Sequence, residues 1–181
     1  SMVPLWQRAK KDVTEEEYNS FYREKFFDYN KPAKVISFSA EGNVSFKALL
    51  YIPAKAPFDF YTKDYKRGLQ LYSSGVMIME NCEDLVPEHF RFVKGVVDSQ
   101  DLSLNISREM LQHSRQLTVI ARGIEKKIRS ELKAMLEKDG FEAPKFIMDK
   151  SIDDFYAFTK DSFKMENYKF HQFDFEIPMA I

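Results

Sequence analysis

The chain of 181 residues has the length of one domain, or of one domain with an appendage, and is long enough to bury a real core. Its 17 Phe, 9 Tyr and 44% hydrophobic content exclude a disordered chain, and 27 basic against 28 acidic side chains exclude a global field that would draw it to nucleic acid or an acidic membrane. The single cysteine, Cys82, excludes an internal disulfide and, with no charged-then-apolar leader at the start, points to a reducing cytoplasmic setting.

No apolar run approaches the roughly 20 residues that a membrane span needs. The opening Ser1-Met2 looks like a remnant of cloning, which suggests a fragment cut from something longer. Thr14-Glu15-Glu16-Glu17 carries a capping box, and Tyr18, Phe21, Tyr22, Lys25 and Phe26 continue at helical spacing, so a helix is predicted to about Phe27. Acidic residues fill its first turn, where the helix dipole favours them. Residues 35–38 form a short strand, Glu41-Gly42-Asn43 a turn, and residues 44–52 alternate as a longer strand that pairs antiparallel with the first.

Pro53, Pro57, Phe58, Phe60 and Tyr61 mark an irregular segment, and residues 63–68 read as charged and exposed. Strands are predicted at 69–73 and 76–79 around Ser74-Gly75, and residues 85–93 place Pro87 in the first turn of a short helix. Asp98, Ser99 and Asp101 are loop formers, Ser107 is a good N-cap, and Glu109-Met110-Leu111-Gln112 favour helix. Beyond Gln112, the positions Leu117, Ile120, Ala121, Ile124, Ile128, Leu132, Met135 and Leu136 give a long amphipathic helix that Asp139-Gly140 ends. Its basic residues are interspersed with Glu125, Glu131 and Glu137, which favours a solvated face over a membrane or nucleic-acid surface. From Phe141 the character shifts to a strand at 146–148, a short helix at 151–158 and an alternating strand at 173–177. The fold class predicted is α/β: a layered α-β-α sandwich with a mixed sheet, a long helical connector and a small C-terminal α/β extension. The division expected is 1–112 for the large subdomain, with a loop of interest at 98–112, then 113–139 for the connector and 140–181 for the second unit.

Most self-contained chemistry is absent from the sequence. His89, His113 and His171 are scattered and Cys82 has no partner at ligand spacing, so no metal site is expected. The six glycines form no G-x-G-x-x-G or Walker arrangement, and no G-x-S-x-G occurs. One residue breaks a local rule. Arg108 sits in the first turn of the helix capped by Ser107, where the dipole disfavours a cation by roughly 0.3–1 kcal/mol but where an anion is doubly welcome. Gln112 lies one turn further along the same face, and Asn105 just ahead of the cap. A guanidinium with two amides suits a terminal phosphate, and an arginine donor without a pocket implies a pocket in another domain or chain.

The run Leu85-Val86-Pro87-Glu88-His89-Phe90-Arg91-Phe92-Val93-Lys94-Gly95-Val96-Val97-Asp98-Ser99, followed by Asp101-Leu102-Ser103-Leu104-Asn105-Ile106-Ser107-Arg108-Glu109-Met110-Leu111-Gln112, resembles the middle domain of the 90-kDa heat-shock chaperone family, bacterial high-temperature protein G type. Trp6, Asp12 to Tyr18 with Phe21-Tyr22, Phe38-Ser39-Ala40-Glu41-Gly42, Ile52-Pro53 and Ala56-Pro57-Phe58-Asp59 extend the likeness in order, over about residues 4–138. The tail beyond Gly140 departs from the pattern.

The resemblance implies an ATP-dependent chaperone in which Arg108 reaches the γ-phosphate of ATP bound in a preceding N-terminal domain, Gln112 assists, and Asn105 belongs to the same catalytic loop. It implies Mg with the ATP of the full-length protein and none bound by this segment alone. It further implies that Trp6 lies near surface that contacts unfolded clients, and that Met77, Leu102 and Leu104 join an apolar patch docking the nucleotide domain; core packing is the rival reading for these three. Full-length members dimerise through a later domain, so this segment is expected to be monomeric. Two other readings remain: a protein-binding module with no part in ATP hydrolysis, using residues 58–61, and a self-sufficient α/β enzyme.

Overall fold

In the computed structural model, which describes residues 2–137, the capping box at Thr14 opens a helix at Glu15–Phe26 (α1). Thr14 Oγ1 accepts from Glu17 N at 3.2 Å and Glu17 Oε2 accepts from Thr14 N at 2.8 Å, so two N–H groups without helical partners are satisfied reciprocally. Phe27 ends the helix in the left-handed conformation.

Five strands follow: β1 at Lys34–Ala40, β2 at Phe46–Ile52, β3 at Leu69–Ser73, β4 at Val76–Cys82 and β5 at Lys94–Asp98. They form one mixed sheet in the order β1-β2-β5-β3-β4. β1 pairs antiparallel with β2, with Ser37 opposite Leu49, and β2 pairs antiparallel with β5, with Leu49 opposite Val96. β5 runs parallel to β3, and β3 antiparallel to β4 across the Ser74-Gly75 turn. Both turn residues have positive φ, 48° and 83°, as a two-residue hairpin whose twist matches its strands requires.

β2 is buried along nearly its whole length because both of its faces are covered. On one face Leu49 and Tyr51 pack with Tyr18 and Tyr22 of α1, and Tyr51 Oη donates to Tyr18 O at 2.7 Å. On the other face Phe46 meets a third helix at Gly123, where an added Cβ would lie 3.0 Å from the Phe46 ring. That helix, α3, spans Arg115–Glu137. Ser114 caps it, its Oγ accepting from Leu117 N at 3.1 Å. The sheet is thus layered between helices, the α-β-α arrangement expected from the sequence.

Two compact units divide the chain, Ser1–Lys126 and Lys127–Ile181. Of α3, Leu117, Ile120 and Ile124, which belong to the first, are buried, as are Ile128, Leu132 and Met135, which belong to the second, and there Lys127 Nζ lies 3.2 Å from Glu131. The stop at Asp139-Gly140, the strands expected at 146–148 and 173–177 and the helix at 151–158 lie outside the described residues.

Three local expectations differ from the structure. Residues 85–93 hold no α-helix; two 3-10 turns occupy Glu83–Leu85 and Glu88–Phe90, and Pro87 is the residue before the second. Residues 63–68 are not uniformly exposed: Arg67 pairs with Glu88 and approaches Glu83 at 4.0 Å, and Tyr65 Oη donates to Arg91 O at 2.6 Å. Asp98 is the buried end of β5 rather than a loop former. β5 carries no local strand signal, because a five-residue strand covered on both faces shows no alternation and contains a glycine.

Candidate functional site

The segment after β5 has a fixed root and a free tip. At the root, Ser99 N donates to Tyr72 O at 3.1 Å and Ser99 Oγ to Ser45 O at 2.7 Å. Ser45 N donates to Asp101 Oδ2 at 2.7 Å, and Ser73 Oγ donates to Leu102 O at 2.6 Å. Leu102, 4% exposed, plugs into the core. These bonds fasten residues 99–102 to the start of β2 and the end of β3, both rigid parts of the sheet.

From Ser103 to Ile106 the hydrogen bonds are local ones, and the chain is seated in the core again at Leu111, 1% exposed. Asn105 N donates to Ser103 Oγ and Ile106 N to Ser103 O, both at 3.3 Å, and Leu104 and Asn105 project into solvent. Ser107 then caps a short helix, α2 at Arg108–Gln112, its Oγ accepting from Met110 N at 3.2 Å. The loop-to-helix junction falls where the sequence places it. With only five residues, however, α2 has little macrodipole, so the electrostatic anomaly expected of Arg108 is slight.

Arg108, like Arg115 and Arg122, has no partner among the described residues. Its side chain is exposed, and among the described residues no hydrogen bond or ion pair engages it. It stands near the end of β4, where its charge acts on the Cys82 thiol. Burial first, and then the negative charge of Asp84, push that thiol up to about 11, and the Arg108 charge works against them. Gln112, also exposed, opens on a groove of about 430 Å³ bordered by Arg67, Glu83, Asp84 and Arg122. Arg108 and Gln112 are four residues apart on α2 and share a face, but no hydrogen bond joins Asn105, Arg108 and Gln112 among the described residues. The three residues are presented outward, not assembled into a pocket.

The other sequence-expected residues separate by environment. Met77 is 43% exposed and Leu104 55%, on segments brought together by the Ser73–Leu102 hydrogen bond, whereas Leu102 is core. Val76 beside Met77 on β4, and Met110 on α2, are exposed as well. Trp6 is half-buried, its ring 4.7 Å from that of Tyr72 and 6.0 Å from that of Phe21, with Nε1 donating to Asp98 Oδ2 at 2.8 Å.

Asp98, the partner of Trp6, escaped the sequence reading. Its Oδ2 also accepts from Gln7 Nε2 at 2.7 Å and from Gly75 N at 3.0 Å, so one carboxylate oxygen ties three distant segments. The local signal was an acid directly after the buried pair Val96-Val97; its partners more than 90 residues away left no signal at all.

No group of three or more metal-ligating side chains occurs among the described residues, and no described helix is long and apolar enough to cross a membrane.

Comparison with known proteins agrees with the likeness noted in the sequence. The family model described as Hsp90 protein matches residues 1–170, which carries the match past residue 138, where the sequence likeness ended. The chaperone protein HtpG of Alkaliphilus metalliredigens is 58% identical over 139 residues, 77% of this chain and 22% of that protein. HtpG of Bacillus subtilis is 55% identical over the same shares. The chain therefore spans about a fifth of the length of these curated relatives. Among solved structures, the middle domain of a Plasmodium falciparum protein described as a heat shock protein superimposes with a TM-score of 0.66 at 29% identity, over 81% of this chain and 55% of that one.

Proposed function

Because the chain belongs to the Hsp90 family of chaperones, as a segment with the fold of its middle domain, we propose that it lends Arg108 to an ATP site held in a separate N-terminal domain of the full-length protein. The observation that carries this is the exposed guanidinium of Arg108, without a partner among the described residues, at the start of α2 just beyond a loop whose root is fastened to the sheet. An arginine aimed at solvent gains nothing for stability, but a γ-phosphate placed against it gains a planar cation whose donors match the oxygens of the transferring group.

In this reading ATP and Mg are held by the other domain, which supplies phosphate and metal chemistry, while the present chain supplies charge. Gln112, on the same α2 face, and Asn105, on the tip, add neutral donors around the phosphate. Residues 1–112 form the large subdomain of the middle domain, and 113–139 connect it to a smaller one. The apolar surface of Met77 and Leu104 docks the nucleotide domain when the two close, and Leu102 holds that surface up from beneath. Closure then gates hydrolysis, since the guanidinium is remote from the phosphate until the domains meet. Trp6 and nearby surface contribute to holding unfolded clients in the cytoplasm, and the full-length protein works as a homodimer.

The test is Arg108→Ala in the full-length protein. Turnover falls by at least about 100-fold while ATP affinity is kept, because the arginine acts on the transition state rather than on nucleotide capture. The alternative, a protein-binding module with no part in hydrolysis, draws support from Phe58, which stands fully exposed beside the buried Phe60. Unchanged turnover in Arg108→Ala would favour that module.

A further inference from the structure

The catalytic loop is joined to the start of the chain by one buried carboxylate. Asp98 is 5% exposed and ends β5, one residue before the fastened root of the Arg108 loop. Its Oδ2 accepts from Trp6 Nε1 at 2.8 Å, Gln7 Nε2 at 2.7 Å and Gly75 N at 3.0 Å. Trp6 and Gln7 belong to a 3-10 turn at Leu5–Gln7, and Lys47 Nζ donates to Gln7 O at 3.2 Å, so that turn rests on the sheet by both side chains and backbone. A buried carboxylate is costly unless its hydrogen bonds are made, so this junction holds as a unit or opens as a unit.

On the far side of Asp98, four hydrogen bonds tie residues 99–102 to the sheet or to Ser45 beside it, two more lie within the loop itself, and the first residues without bonds to the sheet are Ser103 to Asn105. A displacement of the Leu5–Gln7 turn therefore acts on the loop root through Asp98, and the tip carrying Asn105 and leading to Arg108 moves with the root.

We propose that Asp98 is a positioning residue that couples the Leu5–Gln7 segment, through Trp6 and Gln7, to the aim of Arg108. This rests on the reading of Arg108 as the donor to ATP in a preceding domain. The chain from that domain then enters at the turn Asp98 grips, so domain closure and loop placement are mechanically linked. The role is distinct from catalysis: Asp98 touches neither nucleotide nor Arg108.

The experiment measures ATP turnover and the KM for ATP in the full-length protein for Asp98→Asn and for Trp6→Phe. The second variant keeps a smaller aromatic ring beside Tyr72 and Phe21 and removes the donor to Asp98, so it remains informative if Asp98→Asn fails to fold. Misplacement of a charge donor lowers kcat by about tenfold in each, with KM unchanged. Thr14→Ala, which weakens the α1 cap away from the junction, serves as the control and leaves kcat unchanged. Combining Asp98→Asn with Arg108→Ala costs no more than Arg108→Ala alone, because both act through one guanidinium. If Arg108→Ala abolishes turnover while Asp98→Asn and Trp6→Phe keep wild-type kcat, the coupling is overturned and the catalytic reading stands. A kcat loss in Thr14→Ala equal to theirs would reduce Asp98 to a structural role and overturn the coupling as well. If Arg108→Ala itself turns over normally, the catalytic reading falls and takes the coupling with it.

Discussion

Single residues show where this chain keeps chemistry in check. Cys82 is fully buried, and its thiol is pushed from 9.0 to about 11, mainly by burial. The folded chain therefore holds the thiol proton at pH values where the unfolded chain releases it. The resulting stabilisation is complete below about pH 9 and is lost as pH rises from there through about 11. Burial moves the phenols of Tyr22 and Tyr51 in the same direction. Urea midpoints measured between pH 8 and 11 should fall with pH, and Cys82→Ala should make the fall shallower; an unaltered slope would show that the thiol takes no part. Arg108 is the opposite case. Its side chain is exposed and unpaired among the described residues, so Arg108→Ala should leave folding stability within about 0.5 kcal/mol. A larger loss by denaturant titration would mean that the guanidinium is engaged in the folded chain.

At the scale of elements, legibility followed locality. α1, the β1–β2 and β3–β4 hairpins and the Ser107 cap were each readable because their signals lie within a few residues of the structure they specify. β5 was not, although it is the centre of the sheet: its partners are strands about 45 and 25 residues away, and local pattern carries no record of such pairing. Glycine is a poor strand former, yet Gly95 is what permits this strand. A Cβ there would lie 2.3 Å from Leu49 O, so the strand pair approaches too closely for any other residue. Gly95→Ala should destabilise the fold by about 3 kcal/mol, against about 1 kcal/mol for loss of the α1 cap in Thr14→Ala, both read by thermal or denaturant unfolding. The same distinction applies to the site. Arg108, Gln112 and Asn105 were legible as a local loop-and-helix pattern, whereas the Asp98 junction, built from Trp6, Gln7 and Gly75, was invisible until the chain was folded.

For the whole molecule, the account makes function a property of more chain than is present. The fold is that of an Hsp90 middle domain, and the chain spans about a fifth of its HtpG relatives. On the function proposed, its candidate site is half of one: a guanidinium and two amides that complete a nucleotide pocket in another domain. Such a division has a physical advantage, since a transition-state donor kept on a separate body can act only when the two bodies close, which makes hydrolysis conditional on conformation. Steady-state ATP turnover by this chain alone and by the full-length protein tests the division most directly. The account predicts no turnover by the isolated chain, and Arg108-dependent turnover in the full-length protein. Hydrolysis by the isolated chain would contradict it, because the pocket would then lie within these 181 residues.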